Sequence, residues 1–341
     1  MTEEIRIGAI GLGGICRERH LPGFANLPGV RFCAVANRSR ASAERAARDY
    51  NIPDVCDSWE EVISRDDVNT ILIGTWPYLH CPASVAALEA GKHVFCQARM
   101  AMNVAEAAQM RDTAQKSGRV AGLCPVPIGM RVGRIIRRIL DNNEIGAVRY
   151  VNIRSLSNAW TDADAPMTWR KDHRLSGLNM QTLGMYIEVV HRWFGWTRQV
   201  SAETFIYTPQ RRDAAGAWVE VRIPDQVIAN TVVGDDLPVQ YVVSGVSDQP
   251  GDAIEIYGDR GALYYDVNQD ALYQLRDGIR APAKSAPEEY YDVDHWTVEE
   301  DFVRAIREGT PYHPDFEDGL QYMRVIQAIY DSAAAGKRVG L

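Results

Sequence analysis

The stretch I-R-I-G-A-I-G-L-G-G-I-C, from Ile5 to Cys16, constrains the fold more than any other part of the chain. An apolar, strand-like run breaks into a cluster of glycines, after which a helix can begin. Gly11, Gly13 and Cys16 occupy the special positions of G-x-G-x-x-G/A, with Gly14 and Ile15 between them. In that pattern the first glycine turns the chain tightly and the second lets backbone N–H groups approach a pyrophosphate. The third position needs a small side chain for helix-on-strand packing, a need that a thiol meets. The positive end of the following helix then attracts the phosphates. Taken alone, such a turn is more often a turn without a ligand. Here a strand precedes it and a second strand, Val30 to Ala36, follows, and that context predicts a dinucleotide site.

Asn37, Arg38 and Ser39 fall where a dinucleotide fold places its ribose discriminator, and no carboxylate stands there for a 2'-hydroxyl. A guanidinium forms charge-assisted hydrogen bonds to a 2'-phosphate and Ser39 adds a donor, so NADP is the favoured cofactor, with NAD possible. The other use of Arg38 is as a solvated residue in a strand-to-helix loop. Further strands, Val68 to Thr75 and His93 to Cys96, end in Gly74-Thr75-Trp76-Pro77 with His80 and in Gln97-Ala98-Arg99. Ligands of doubly wound sheets lie beyond the carboxyl ends of strands. Thr75, Trp76, Pro77, His80, Gln97 and Ala98 therefore join the candidates for the cofactor site. His80 alone would as readily plug a helix start. Helices are expected over 41–50, Trp59 to Ser64, Pro82 to Ala90 and Val104 to Ser117, and a strand over Val120 to Cys124.

The length of 341 residues suits two domains, here 1–124 and 125–341. A net charge of -8 argues against a phosphate-backbone binder, which excludes nucleic acid as the expected partner. All six cysteines precede residue 125 and none forms a C-x-x-C pair, the pattern of buried thiols in a reducing cytosol rather than of disulfides or a metal site. The acidic N-terminus runs straight into a strand, and no apolar run nears the roughly 20 residues needed to span a bilayer. The expectation is a soluble cytoplasmic protein without a membrane partner.

In the second half a helix over Val132 to Leu140 leads to a strand, Val148 to Leu156. A loop rich in Trp, Asp and Arg follows, Trp160 to Arg174, suited to a substrate wall. A helix is expected over Ser176 to Gly195. Met180, Leu183, Ile187, Val190 and Phe194 form its core stripe, and Gln181, Met185, Glu188 and Arg192 a second stripe. That second stripe also reads as a polar flank with an ordinary Glu188–Arg192 pair. Strands follow near 200–207, 226–233, 239–246, 253–257, 263–266 and 271–274, joined by turns that imply antiparallel pairing. Helices over Trp296 to Arg307 and Phe316 to Ala335 close the chain.

Across nearly its whole length the chain resembles the Gfo/Idh/MocA oxidoreductase family. The likeness is carried by G-L-G-G, by H-L-P-G-F from His20, by Gly74-Thr75-Trp76-Pro77 with His80, and by A-L-E-A-G-K-H-V-F-C from Ala87. E-I-Y-G-D-R-G-A-L from Glu255 and the final A-I-Y-D-S-A-A-A-G-K add to it. The resemblance implies an α/β N-terminal Rossmann domain with a doubly wound sheet. It also implies an α+β C-terminal domain, an open, mostly antiparallel sheet with helices on one face. NAD(P), a sugar-like or related small-molecule substrate, and a homo-oligomer, dimer or tetramer, formed through the open sheet face are implied as well.

Departures fall on the family's catalytic positions. Its Glu-Lys-Pro is here Gln97, Ala98 and Arg99, and its helical aspartate and histidine align with Gln181 and Met185. Two readings follow. In one, the protein is an oxidoreductase with a replaced acid–base set, where Arg99 polarises an oxygen and Tyr186, Asp172 or His173 exchanges a proton. An arginine there suits an acidic or aldehydic substrate. Each candidate also has an innocent use: Arg99 on cofactor or a carboxylate, Tyr186 in packing, Asp172 and His173 in solvent. In the other reading the protein binds NADP without net redox turnover, as a sensor, a partner subunit, or a lyase or hydrolase using the cofactor transiently. No metal is expected.

Overall fold

The computed structural model describes residues 3–124, 130–276, 279–282 and 297–341, arranged in two compact units. The first is drawn from residues 1–125 and 296–320, the second from 126–295 and 321–341. Segment 296–320, expected in the second domain, thus groups with the first.

The first unit is a six-stranded parallel sheet. Its strands are β1 (Ile5–Ile10), β2 (Val30–Ala36), β3 (Asp54–Val55), β4 (Thr70–Ile73), β5 (His93–Cys96) and β6 (Ala121–Leu123), ordered β3-β2-β1-β4-β5-β6. This is the doubly wound Rossmann order, whose reversal point lies between β1 and β4. β4 and β5 are buried throughout, which is why they read as continuous apolar runs. Three of the connecting helices start on side-chain caps. Ser39 accepts from Ser42 N ahead of Arg40–Tyr50, Ser58 from Glu61 N ahead of Trp59–Ser64, and Asn103 from Glu106 N ahead of Val104–Ser117. The helix Val298–Glu308 completes this core: Phe302 stacks edge-on against Phe95 at 5.1 Å, and Phe95 against Phe24 at 5.7 Å. The expected start of that helix at Trp296 lies outside the described residues.

The second unit carries the strands β7 (Val148–Leu156), β8 (Thr197–Phe205), β9 (Gln210–Arg212), β10 (Trp218–Glu220), β11 (Gln226–Val233) and β12 (Leu237–Ser244). It continues with β13 (Gly251–Gly258), β14 (Ala262–Asp266), β15 (Ala271–Arg276), β16 (Ile279–Pro282) and β17 (Val339–Gly340). Nine of them form one sheet, β16-β15-β14-β13-β7-β12-β11-β8-β17, and β9 pairs with β10 as a separate ribbon. One face is buried, with Val151, Ile153, Val227, Tyr241, Val243, Ile254 and Ile256 pointing into it. Helix Phe316–Ala335 ties to that sheet where Ser332 Oγ accepts from Ala202 N at 3.0 Å. The other face is polar and aromatic. Tyr150 stacks on Tyr257 at 5.9 Å, Tyr150 donates to Gln240 at 3.1 Å, and Asn152 to Glu255 at 2.8 Å.

The sheet of the second unit is mostly antiparallel, as expected, with one parallel pair, and the start of one helix needs correction. β7 runs parallel to β12, although all other pairings in that sheet are antiparallel. A turn cannot join parallel neighbours, and the chain reaches β12 from β7 only after the long segment 157–196 and the four strands β8 to β11. The helix expected from Ser176 begins at Leu183. Gly177 (φ +61°) and Gln181 (φ +47°) adopt left-handed backbone that interrupts a right-handed helix, so Met180 and Gln181 precede the helix. The short strands β3, β9, β10, β16 and β17 carried no sequence signal. No described helix is long and apolar enough to cross a membrane.

Candidate functional site

At the carboxyl end of β1 the glycine turn is built as its spacing predicts. Gly11 has φ +79°, and a Cβ there would lie 2.9 Å from Thr75 N, so only glycine fits. Above Gly13 the nearest heavy atom to a Cβ is Gly74 O at 3.7 Å, which leaves the open approach a diphosphate needs. Cys16 is fully buried beneath the turn. A Cβ on Gly74 would strike its sulfur, so the thiol fills the small-residue position. Burial pushes its pKa up to about 12, making it a packing group rather than a nucleophile.

A cleft of about 490 Å³ opens beside the turn. Of the residues expected to hold the nucleotide, Gly11, Gly13, Asn37, Arg38, Thr75 and Trp76 line it, joined by Asp57, Trp59 and Tyr78, which the sequence motifs did not single out. Arg38 lies over the Trp76 ring, its guanidinium carbon 5.3 Å from the centroid. Asp57 is the acidic group of this wall and is held by Arg40. Asn37 turns inward, its Oδ1 accepting from Leu12 N at 2.7 Å, and so braces the glycine turn. Ser39 caps the next helix. A cradle open above Gly13 and a guanidinium at the end of β2 fit a pyridine dinucleotide.

Gly14, Ile15, Ser39, Pro77, His80, Gln97 and Ala98 are not among the lining residues of this cleft. Expected at its wall, His80 is buried between two strand-end loops, with ring nitrogens 2.8 Å from Arg99 O and 3.0 Å from Thr75 O. Burial lowers its pKa, the carbonyl contacts opposing this in part. Gln97 is buried against His20, whose other ring nitrogen meets Glu299. Ala98 and Arg99 are half-buried on the adjoining loop. His313, Asp315 and Asp318 bring potential ligand atoms within 4.8 Å of one another, in bonds that shape a helix start: Asp315 Oδ1 accepts from the Glu317 and Asp318 N–H groups.

In the second unit the expected acid–base candidates separate. Asp172 caps the short helix His173–Ser176 and pairs with Arg174 at 2.7 Å, which holds its carboxyl below the usual carboxylate range. His173 is half-buried within that helix. Tyr186 is fully buried, its hydroxyl donating to Asp252 Oδ2 at 2.7 Å. Burial, with the Asp252 carboxylate second, raises the phenol above its ordinary value. Met185 is half-buried, and Glu188 forms the i,i+4 pair with Arg192 at 2.7 Å. The Trp160 to Arg174 loop is pinned by buried cations. Arg211 donates to the carbonyls of Trp160, Asp162 and Ala165, and Lys171 pairs with Asp225 with its Nζ 3.8 Å from the Trp160 ring. Arg211, Asp225 and Asp252 escaped sequence reasoning, because strand register rather than spacing brings them to their partners.

A family model described as "Oxidoreductase family, NAD-binding Rossmann fold" matches residues 5–123, and its companion, "Oxidoreductase family, C-terminal alpha/beta domain", matches 137–341. A levoglucosan dehydrogenase of Pseudarthrobacter phenanthrenivorans is 22% identical over 97% of both chains. An inositol 2-dehydrogenase of Gluconacetobacter diazotrophicus is 26% identical over 91% of this chain and 88% of its own. A solved levoglucosan dehydrogenase in complex with NADH and L-sorbose superposes with a TM-score of 0.85 at 21% identity, covering 98% of each chain, which speaks for the fold.

Proposed function

The chain belongs to the Gfo/Idh/MocA oxidoreductase family and is an NAD(P)-dependent oxidoreductase, and on that premise we propose that it favours NADP and acts on an alcohol or carbonyl group of a sugar-like or acidic small molecule. The observation that carries the cofactor choice is Arg38, exposed on the cleft wall over Trp76 where β2 ends without a carboxylate. A 2'-phosphate gains charge-assisted hydrogen bonds from that guanidinium, whereas a bare 2'-hydroxyl finds no acidic acceptor on residues 37–39. When bound, the nucleotide supplies the hydride chemistry. The protein's share is to hold the diphosphate over Gly13 and to polarise the substrate oxygen. Arg99 is the proposed polarising group; it stays charged and exchanges no proton. The sugar-like substrate class is supported by the relatives named levoglucosan dehydrogenase and inositol 2-dehydrogenase.

A homo-oligomer, dimer or tetramer, assembled through the polar, aromatic face of the nine-stranded sheet is part of this reading. So is a cytoplasmic location, which accords with six cysteines that form no disulfide. A second reading, NADP binding without net redox turnover, is favoured by one feature: Gln97-Ala98-Arg99 replaces the family's Glu-Lys-Pro. Fluorescence titration tests the cofactor choice. NADPH should bind more tightly than NADH, and Arg38→Ala should weaken NADPH by about 10- to 100-fold while leaving NADH nearly unchanged. Tighter NADH binding by the wild type overturns it. A carbonyl and alcohol screen for NADPH consumption or formation separates the two readings.

A further inference from the structure

The second unit contains a hydroxyl–carboxylate cluster that no sequence motif announces. Antiparallel register sets Asp252 of β13 opposite Ser155 of β7, on the face that also carries Val151 and Ile153. Asp252 Oδ2 accepts from Tyr186 OH at 2.7 Å and from Ser155 Oγ at 3.0 Å, and Ser155 Oγ lies 2.9 Å from Thr182 Oγ1. Thr182 stands immediately before helix Leu183–Phe194, and Tyr186 lies one turn on. Ser155 and Tyr186 are buried, while Asp252 and Thr182 are half-exposed. Among the described residues none donates to Asp252 Oδ1, and the residue that carries it is half-exposed.

Two hydroxyl donors fix the plane of this carboxylate through one oxygen and leave the other as an aimed acceptor. Tyr186 stays a donor, since burial and the neighbouring carboxylate push its phenol above the ordinary range. We propose that Asp252 Oδ1 accepts a hydrogen bond from a hydroxyl group of a polyhydroxylated substrate, with the Thr182 hydroxyl as its neighbouring contact. The inference rests on the sugar-like substrate reading above and adds the residue that recognises it. An ammonium ligand suits the cluster less, because a partly exposed ion pair adds little, whereas a hydroxyl matches an oxygen flanked by other hydroxyl groups.

Calorimetric titration of the full chain, with and without NADP, decides it, using levoglucosan, myo-inositol and, as an amine, D-glucosamine. Wild type is expected to bind a sugar or polyol, and Asp252→Asn, which keeps the shape but not the charge, to weaken it about 10- to 100-fold. Tyr186→Phe should cost less, by loosening the carboxylate, and NADPH titration should match wild type in both variants. Should Asp252→Asn fail to fold, Thr182→Val reads the same contact and is expected to weaken the sugar by about 3- to 10-fold. Sugar binding equal in wild type and variants, preference for the amine, or no binding of any probe by wild type overturns the proposal. Asp252-dependent binding without hydride transfer upholds it while the redox reading falls. Turnover at wild-type KM in Asp252→Asn does the reverse.

Discussion

In the first unit the side chains that start the helices bond to N–H groups three residues ahead: Ser39 to Ser42, Ser58 to Glu61, Asn103 to Glu106. In the second unit the bonds that shape the candidate substrate wall cross long stretches of chain. Arg211 reaches Trp160 at a separation of 51 residues, Lys171 reaches Asp225 at 54, and Tyr186 reaches Asp252 at 66. A backbone-built nucleotide turn needs residue types at fixed spacing, so it is written locally. A side-chain-built substrate wall needs only that register deliver the right groups, and its residues are scattered. The two halves should accordingly respond to substitution by different mechanisms and over different distances.

The largest test of that contrast is Lys171→Met, which leaves Asp225 as a buried, unpaired carboxylate. Breaking such a pair costs about 3–5 kcal/mol, so urea unfolding should show a loss of that size, with NADPH affinity unchanged in the protein that remains folded. A cost below about 1 kcal/mol would make the pair equivalent to a surface contact and erase the distinction. Acid provides a sharper division. Burial lowers the pKa of His80 and His93, both in the first unit. Below the ordinary histidine pKa the unfolded chain takes up protons that the folded state refuses. Stability from these groups is therefore present at higher pH and is lost as pH falls through about 6.5, at up to about 1.4 kcal/mol per pH unit for the fully buried His80. Hydrogen exchange at pH 7.5 and 5.5 should show protection falling in β4 and β5 and holding in β11 and β12. The smallest expected effect is Ser39→Ala. Loss of an exposed cap costs about 0.5–1 kcal/mol, and exchange should rise in Arg40–Tyr50 alone. A response spreading to other helices would show that the first unit is less local than its caps suggest.

The same contrast explains what could be read from the residues. Val30–Ala36, Trp59–Ser64, His93–Cys96 and Val104–Ser117 begin and end where expected because caps, glycines and continuous apolar runs mark them. Gly11, Gly13 and Arg38 were legible as one cleft because the motif sets their spacing. The start of helix Leu183–Phe194 was not, since a glutamine such as Gln181 gives no warning of left-handed backbone. His80 and Asn37 were both expected at the nucleotide site; His80 instead braces two loops away from the cleft lining, whereas Asn37 lines the cleft and also braces the glycine turn, a distinction set by side-chain direction. Asp252 stood in an unremarkable turn-to-strand stretch. Its partners come from Ser155 on the strand opposite and from Tyr186 on helix Leu183–Phe194.

The first unit is discontinuous, and this has a consequence for synthesis. Phe302, which packs on Phe95, and Glu299, which meets His20, arrive on a helix translated some 170 residues after residue 125. A nascent chain that has emerged only to residue 125 holds the whole parallel sheet but not the aromatic lid of its core. Its phenylalanines stay uncovered while residues 126–295 are made, so the core of the nucleotide-binding unit is completed late on the ribosome, and an N-terminal fragment ending at residue 125 would lack part of it.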